Sequence, residues 1–252
     1  MVPTSAGTGA EVTFTAVFIN EETGSKGGMN GNPLYPEAAI LDPELTLSLP
    51  PGVTASTGLD ALAHALEAYT SVKAHPVSEM YSLEAIDLIS GNIRAAYADG
   101  RNLEARTNML LASLLGGKAL AMAGVGLVHA MAYPLGGMFG IAHGLANAIL
   151  LPYVTEYNLI GNLEKHAHLA ALFGFDTNGM PLREAATMIA DGLFQLNMDL
   201  DIPATLADID VPGDKIPEMA DIAMKVAVPI ENNPRRPSRD DIIAIYEYAL
   251  NG

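Results

Sequence analysis

STGLDALAHALEAYTS, residues 56–71, decides the class of the fold. Leu59, Leu62, Leu66 and Tyr69 recur at steps of three and four, so one apolar face repeats with the period of an α-helix. Thr57, just ahead of that face, is predicted to cap the helix. The same period returns toward the C-terminus. Residues 78–97 carry Ile86, Ile89 and Ile93 in register, and residues 103–122 are apolar on nearly all sides, which predicts a central place in a bundle. Residues 144–153, 163–173, 182–196, 215–226 and 239–250 complete a set of about seven or eight helices, with Pro, Gly and Asp in the connections.

The N-terminal side reads differently. TFTAVFI, residues 13–19, is β-branched and aromatic and predicts a strand. Residues 20–32 are rich in Gly, Asn and charge and predict a turn or exposed loop. AAIL, residues 38–41, is a second apolar run, read as a strand that Asp42-Pro43 stops, and Pro50-Pro51-Gly52 is read as a chain break. The expected architecture is therefore mainly α. A helical bundle over residues 53–252 is preceded by a short α/β piece over residues 1–52.

Composition narrows the function. With 252 residues, half of them hydrophobic, the chain can bury one large core. Aromatics are few and Trp is absent, so that core is built of Ala, Leu, Ile, Val and Met, a mix suited to close-packed helices. Thirteen basic against twenty-nine acidic residues give a net charge of -16, which repels nucleic acid and anionic membranes. Without Cys there is no disulfide and no thiolate metal site, which suits the cytoplasm. The N-terminus has neither a basic start nor an apolar run, so no secretory signal is read there. Residues 119–142 lack Asp, Glu, Lys and Arg and are long enough to span a bilayer, but glycines, Pro134 and His129 interrupt them. A buried core helix followed by a loop is the expected reading.

Four side chains have the chemistry of a metal site. Asp60 and His64, four residues apart, share one helix face, where an oxygen and an imidazole nitrogen can close on one ion or simply bond to each other. His129 and His143 sit in apolar sequence, where a lone His is more often a satisfied core residue. Gly136, Gly137 and Gly140 between them permit a sharp turn, and His143, ahead of Gly144 and an apolar run, is placed at a helix start. Three nitrogens and one carboxylate suit Fe(II), Zn(II) or another first-row divalent ion acting as a Lewis acid on a substrate oxygen. Met122, Met131, Leu135 and Phe139 read either as plain core or as an apolar substrate pocket. His75 is read as solvated in a loop, and His166 and His168 as lying on a polar helix face without a role.

Residues 56–71, together with GLVHAMAYPLGGMFGIAHGLANAILLPYV (126–154), resemble the two signature segments of iron-containing (group III) alcohol dehydrogenases, which have a dehydroquinate synthase-like fold. NPRRPSRDDIIAIYEYAL (233–250) resembles that family's closing helix, and PTSAGTGAEVT (3–13) its PTTAGTGSEVT segment. The resemblance implies that Asp60, His64, His129 and His143 hold Fe2+, with Zn2+ also admissible. It implies NAD or NADP as cofactor, with Thr4, Ser5, Gly7 and Thr8 touching it and Lys26 reaching the nucleotide. On its residues alone, the Thr4–Thr8 segment equally fits an ordinary Gly-rich loop. The implied reaction is hydride transfer between a small alcohol and its aldehyde. The full Asp and three-His set argues against the glycerol dehydrogenase and dehydroquinate synthase relatives, which use fewer His.

Two departures qualify the resemblance. Where the family often has another His linked to proton transfer, this chain has Tyr133, a group that titrates near pH 10 when unperturbed. The family's preceding Rossmann-like region, with its Gly-Gly-Gly-Ser segment, has no counterpart, and neither G-x-G-x-x-G nor a P-loop occurs. Strands at 13–19 and 38–41 would then have unpaired edges, so a homo-oligomer, or pairing with a complementing N-terminal chain, is expected. The alternative function is a truncated member that binds metal and assembles without dehydrogenase activity.

Overall fold

The computed structural model describes residues 1–19 and 26–252, and at 17–19 and 26–28 the backbone alone. The fold is mainly α. Ten α-helices are present among the described residues: α1 (Pro51–Thr70), α2 (Pro76–Ala98), α3 (Leu103–Ala123), α4 (Leu127–Phe139), α5 (His143–Asn158), α6 (Leu163–Leu172), α7 (Leu182–Asp199), α8 (Ile216–Ala223), α9 (Ala227–Asn232) and α10 (Arg239–Asn251). Polar side chains close several of their open ends. Asn102 accepts from Ala105 N–H, Asn162 from Lys165 N–H, and Ser238 and Asp241 cap α10 reciprocally.

The helix that holds the fold's centre is α1. It packs against α2, α3 and α5, and every residue from Gly58 to Thr70 is buried. It starts six residues before the expected Thr57 cap. Pro50-Pro51-Gly52 does not break the chain, because Pro51 takes the first helical position, where its fixed φ suits the helix and its missing N–H has no partner to lose. Thr57 Oγ1 instead bonds back to Val53 O at 2.8 Å. The central position expected of α3 belongs to α1, since α3 keeps Leu111 and Met122 in solvent.

Two helices beyond the expected set appear, α4 and α9. Residues 127–139 were expected to turn sharply at glycines, yet Gly136 and Gly137 stay helical with Pro134, and only Gly140, at φ 69, turns the chain. Burial outweighs the poor propensity: Leu127, Val128, Met131 and Leu135 are all within the core. The charge-free stretch 119–142 is thus the end of α3 and all of α4, two helices that meet at 105°. No single helix among the described residues is long and apolar enough to cross a membrane.

At the N-terminal side, β1 (Thr15–Ile19) pairs antiparallel with β2 (Lys26–Asn30), with Thr15 opposite Asn30. Part of the expected loop 20–32 is therefore a strand, and residues 20–25 lie outside the described residues. The expected strand at 38–41 does not form. Pro36 and Pro43 bracket the run, each lacking an N–H for a ladder, and Ile40 is exposed. Among the described residues its backbone pairs with Met1: Ile40 N–H donates to Met1 O at 3.0 Å, and the terminal ammonium to Ala38 O at 2.6 Å.

The spare histidines separate. His75 is exposed at the start of α2, as expected, and His168 is exposed on α6 with Nδ1 2.9 Å from Tyr69 Oη. His166 departs from its expected polar face. It is buried on α6 with Nδ1 2.7 Å from Asn162 O, and burial holds its pKa below the ordinary value. On unfolding, this imidazole gains a proton as pH falls through about 6.5, while the folded form resists. Its contribution is therefore present above that pH and is lost below it. His166→Gln, which keeps an amide donor for Asn162 O, is expected to flatten the acid slope of stability by up to about 1.4 kcal/mol per pH unit. Urea midpoints measured from about pH 7 to about pH 5 check this; an unchanged slope would refute it.

Candidate metal centre

One stripe of α1 carries Asp60, His64 and Glu67, all buried and spaced four and three apart. The helix α4 brings His129 to that stripe. The helix α5 begins at His143 and presents Asn147 one turn later. The close approach of α5 to α1 depends on Gly144, where an added Cβ would run into the Ser56 carbonyl oxygen and meet Asp60 Cβ at 3.4 Å.

The three imidazoles converge on one carboxylate oxygen. Nε2 of His64, His129 and His143 lies 3.9, 3.9 and 3.8 Å from Asp60 Oδ1. Ligand atoms of Asp60, His64 and His129 all lie within 4.8 Å of one another, against about 3.4 Å between two ligands on one tetrahedral ion when each bond is about 2.1 Å; His143 stands outside that group of three and meets it at Asp60. The His64 and His129 rings stack at 4.8 Å, and His129 and His143 meet edge to face at 5.2 Å. Asn147 Nδ2 lies 2.7 Å from Asp60 Oδ1 and 3.2 Å from Nε2 of both His129 and His143. A partly positive N–H donor thus faces the lone pairs that a cation would engage. Among the described residues, Asn147 Oδ1 has no hydrogen-bond partner.

Burial and neighbouring charge shift these groups in different directions. Burial pushes the Asp60 carboxyl up, but the three imidazoles and the Asn147 amide outweigh it and hold the pKa below the usual carboxylate value. Burial lowers His64, against the opposing pull of Asp60, Glu67 and the Gly7 backbone, which keeps its ring neutral. His64 Nδ1 makes no hydrogen bond of full geometry, although the Gly7 backbone lies close enough to act on it. His129 is also opposed by burial, yet Glu67 and then Asp60 raise it.

The access side is formed by His143, whose side chain is 29% exposed against 5% for Asp60. Tyr133, one turn after His129 on α4, lies against it with ring centroids 6.1 Å apart. Burial, then Glu67 and Asp60, raise the Tyr133 pKa, so its hydroxyl keeps its proton and remains a donor at neutral pH.

The remaining expected residues fall in two places. Gly7 is buried against Thr57 of α1, and Gly9, at φ 58, packs on Ser113 and Gly117 of α3, where a Cβ would come within 2.7 Å of backbone. This pins the Thr4–Thr8 segment beside the metal set, with Thr4 and Thr8 exposed and Ser5 partly so. Lys26 pairs with Ile19 through its backbone, and its side chain lies outside the described residues. Met131 and Leu135 are fully buried core rather than pocket wall. Glu67 and Asn147 were not anticipated, although each lies three or four residues from a named ligand on the same helix, at His64 and His143.

Residues 54–250 match the profile of the Fe-containing alcohol dehydrogenase family, C-terminal, and residues 1–43 that of iron-containing alcohol dehydrogenase. The chain belongs to the iron-containing alcohol dehydrogenase family. It is 44% identical to 1,3-propanediol dehydrogenase of Klebsiella pneumoniae over 99% of its own length and 64% of that protein's. Its backbone matches the crystal structure of a 1,3-propanediol oxidoreductase with a TM-score of 0.97 at 43% identity, covering 99% of this chain and 65% of the other. Sulfoacetaldehyde reductase from Bifidobacterium kashiwanohense, solved in complex with NAD+, is similar at a TM-score of 0.87 and 31% identity, covering 99% and 64%. The chain therefore spans just under two thirds of the length of the relatives it matches.

Proposed function

We propose that the protein is a metal-dependent, NAD(P)-linked alcohol dehydrogenase that interconverts a small alcohol and its aldehyde by hydride transfer. The observation that carries this reading is the convergence of three Nε2 atoms on Asp60 Oδ1. Asp60, His64, His129 and His143 would hold the ion, Fe2+ by family and Zn2+ by the same donor chemistry. A divalent ion held there supplies Lewis acidity toward an alcohol or carbonyl oxygen.

The chain's own residues do the rest. Asp60, His64 and His129 form a dry floor, and the more open His143 side admits the substrate oxygen. Tyr133 stands on that side with a hydroxyl proton available to hydrogen-bond the substrate oxygen, in place of the family's histidine. Residues 1–52 would present the cofactor through Thr4, Ser5, Gly7, Thr8 and Lys26, and residues 53–252 the metal cradle. Gly7 beside His64 links the two. The relative solved with NAD+ supports a nicotinamide cofactor. The exposed Met1, Val2, Met29, Leu34, Tyr35 and Ile40 support burial of that segment against another chain or a second copy.

The test is nicotinamide absorbance with ethanol, butanol or 1,2-propanediol after loading with Fe(II) or Zn(II). Turnover that chelation removes and metal restores is expected. Stoichiometric metal uptake without NAD(P) binding by calorimetry would overturn the dehydrogenase reading while leaving the metal site.

A further inference from the structure

Glu67 lies one turn past His64 on α1 and is 5% exposed. Both of its oxygens are engaged by α4. Oε1 accepts from Val128 N–H at 2.6 Å, and Oε2 lies 2.6 Å from His129 Nδ1. The first turn of α4 needs outside acceptors, because Gly126 offers no capping side chain. Asn233 Oδ1 takes the Leu127 N–H at 3.2 Å, and Glu67 takes the next one.

We propose that Glu67 is a positioning residue for His129: its carboxylate fixes the imidazole proton on Nδ1 and leaves the Nε2 lone pair facing Asp60 and the ion. This rests on the metal reading above. A carboxylate offers acceptors only, so the ring nitrogen against Oε2 must carry the hydrogen. The opposite edge of the ring agrees. Asn147 Nδ2 is oriented by its 2.7 Å bond to Asp60 Oδ1, is a donor, and stands 3.2 Å from His129 Nε2, which must then accept. One carboxylate thereby joins the α1 ligands to the α4 ligand and sets the tautomer that a metal requires.

A role limited to capping α4 makes a different forecast, and Glu67→Gln separates the two. Gln keeps an oxygen for Val128 N–H but turns its NH2 toward His129 Nδ1. That ring nitrogen must then accept, which moves the proton to Nε2 and blocks the lone pair. The measurements are 15N long-range correlation spectra of the metal-stripped protein, which read the tautomer, and Zn(II) affinity by competition with a chromophoric chelator. The native protein should show His129 protonated on Nδ1. Glu67→Gln should show it protonated on Nε2, with Zn(II) affinity about ten- to a hundredfold weaker and unchanged helix content. A native His129 protonated on Nε2 would overturn the proposal, and so would a Glu67→Gln variant with native tautomer and affinity. If the variant does not fold, the native spectrum decides alone. A native protein with the Nδ1 proton that takes up no Zn(II) would support the Glu67 assignment and count against the metal reading only.

Discussion

Asp60→Ala is expected to weaken divalent-metal binding roughly a hundred- to a thousandfold and to abolish metal-dependent turnover. Structural sites of four ligands bind with about 10–16 kcal/mol, so each ligand carries about 3–4 kcal/mol, and every 1.4 kcal/mol is a factor of about ten. Asp60 is the one proposed ligand that touches the whole set, since all three Nε2 atoms and Asn147 Nδ2 face its Oδ1. It is also the only negative charge among the four. Removing it leaves three imidazoles and an amide donor facing one another, with the Glu67 carboxylate behind His129 as the remaining negative charge. A native ligand set raises folding stability by about 2.7 kcal/mol when metal stands at about a hundred times its Kd. That increment should vanish in the variant, so thermal unfolding with and without Zn(II) reads the loss. Equal metal-induced stabilisation in native and Asp60→Ala protein would remove Asp60 from the ligand set.

Gly144→Ala is expected to lower stability by about 1–3 kcal/mol, the usual cost of overpacking a core, and to impair metal binding as well. The added Cβ would collide with the Ser56 carbonyl oxygen and lie 2.9 Å from the Ser56 carbonyl carbon, which are rigid backbone of α1 rather than a flexible side-chain end. To relieve this, α5 must withdraw from α1. The residue beside Gly144 is His143, whose Nε2 now stands 3.8 Å from Asp60 Oδ1, so the strain is delivered to the metal set. Gly137→Ala is the control. It also lies inside a helix, but its Cβ would meet nothing within 4 Å, so it should stabilise by about 0.5–1 kcal/mol. Calorimetric unfolding and Zn(II) titration of the two variants check the pair. Opposite signs are expected, and equal effects would refute the close-approach argument.

The sequence reported α1 well because Leu59, Leu62, Leu66 and Tyr69 repeat at the helical period, and all four are buried. Asp60 and His64 were legible for the same reason, being one turn apart. The start of α1 was not, because Pro-Pro-Gly signals a break unless Pro51 happens to be the first helical residue. The helix α4 was hidden by Pro134 and two glycines, whose local cost is outweighed by core contacts that no window of sequence contains. At β2, KGGMN has little strand propensity, and its pairing with β1 decides it. The run at 38–41 shows the reverse: apolar residues that fit a strand, with no strand beside them to pair among the described residues. Glu67 looked like one polar residue among many on a long helix, since its partner His129 lies 62 positions away. Asn147 was equally silent until folding set its amide against Asp60, 87 positions back.

The most direct test of the central claim is a crystal structure of the metal-loaded protein, with anomalous data collected at the absorption edge of the bound ion. A single anomalous peak is expected, with Asp60 and Nε2 of His64, His129 and His143 each within about 2.0–2.3 Å. A peak elsewhere, or one that leaves Asp60 or any of the three histidines outside that sphere, would contradict it.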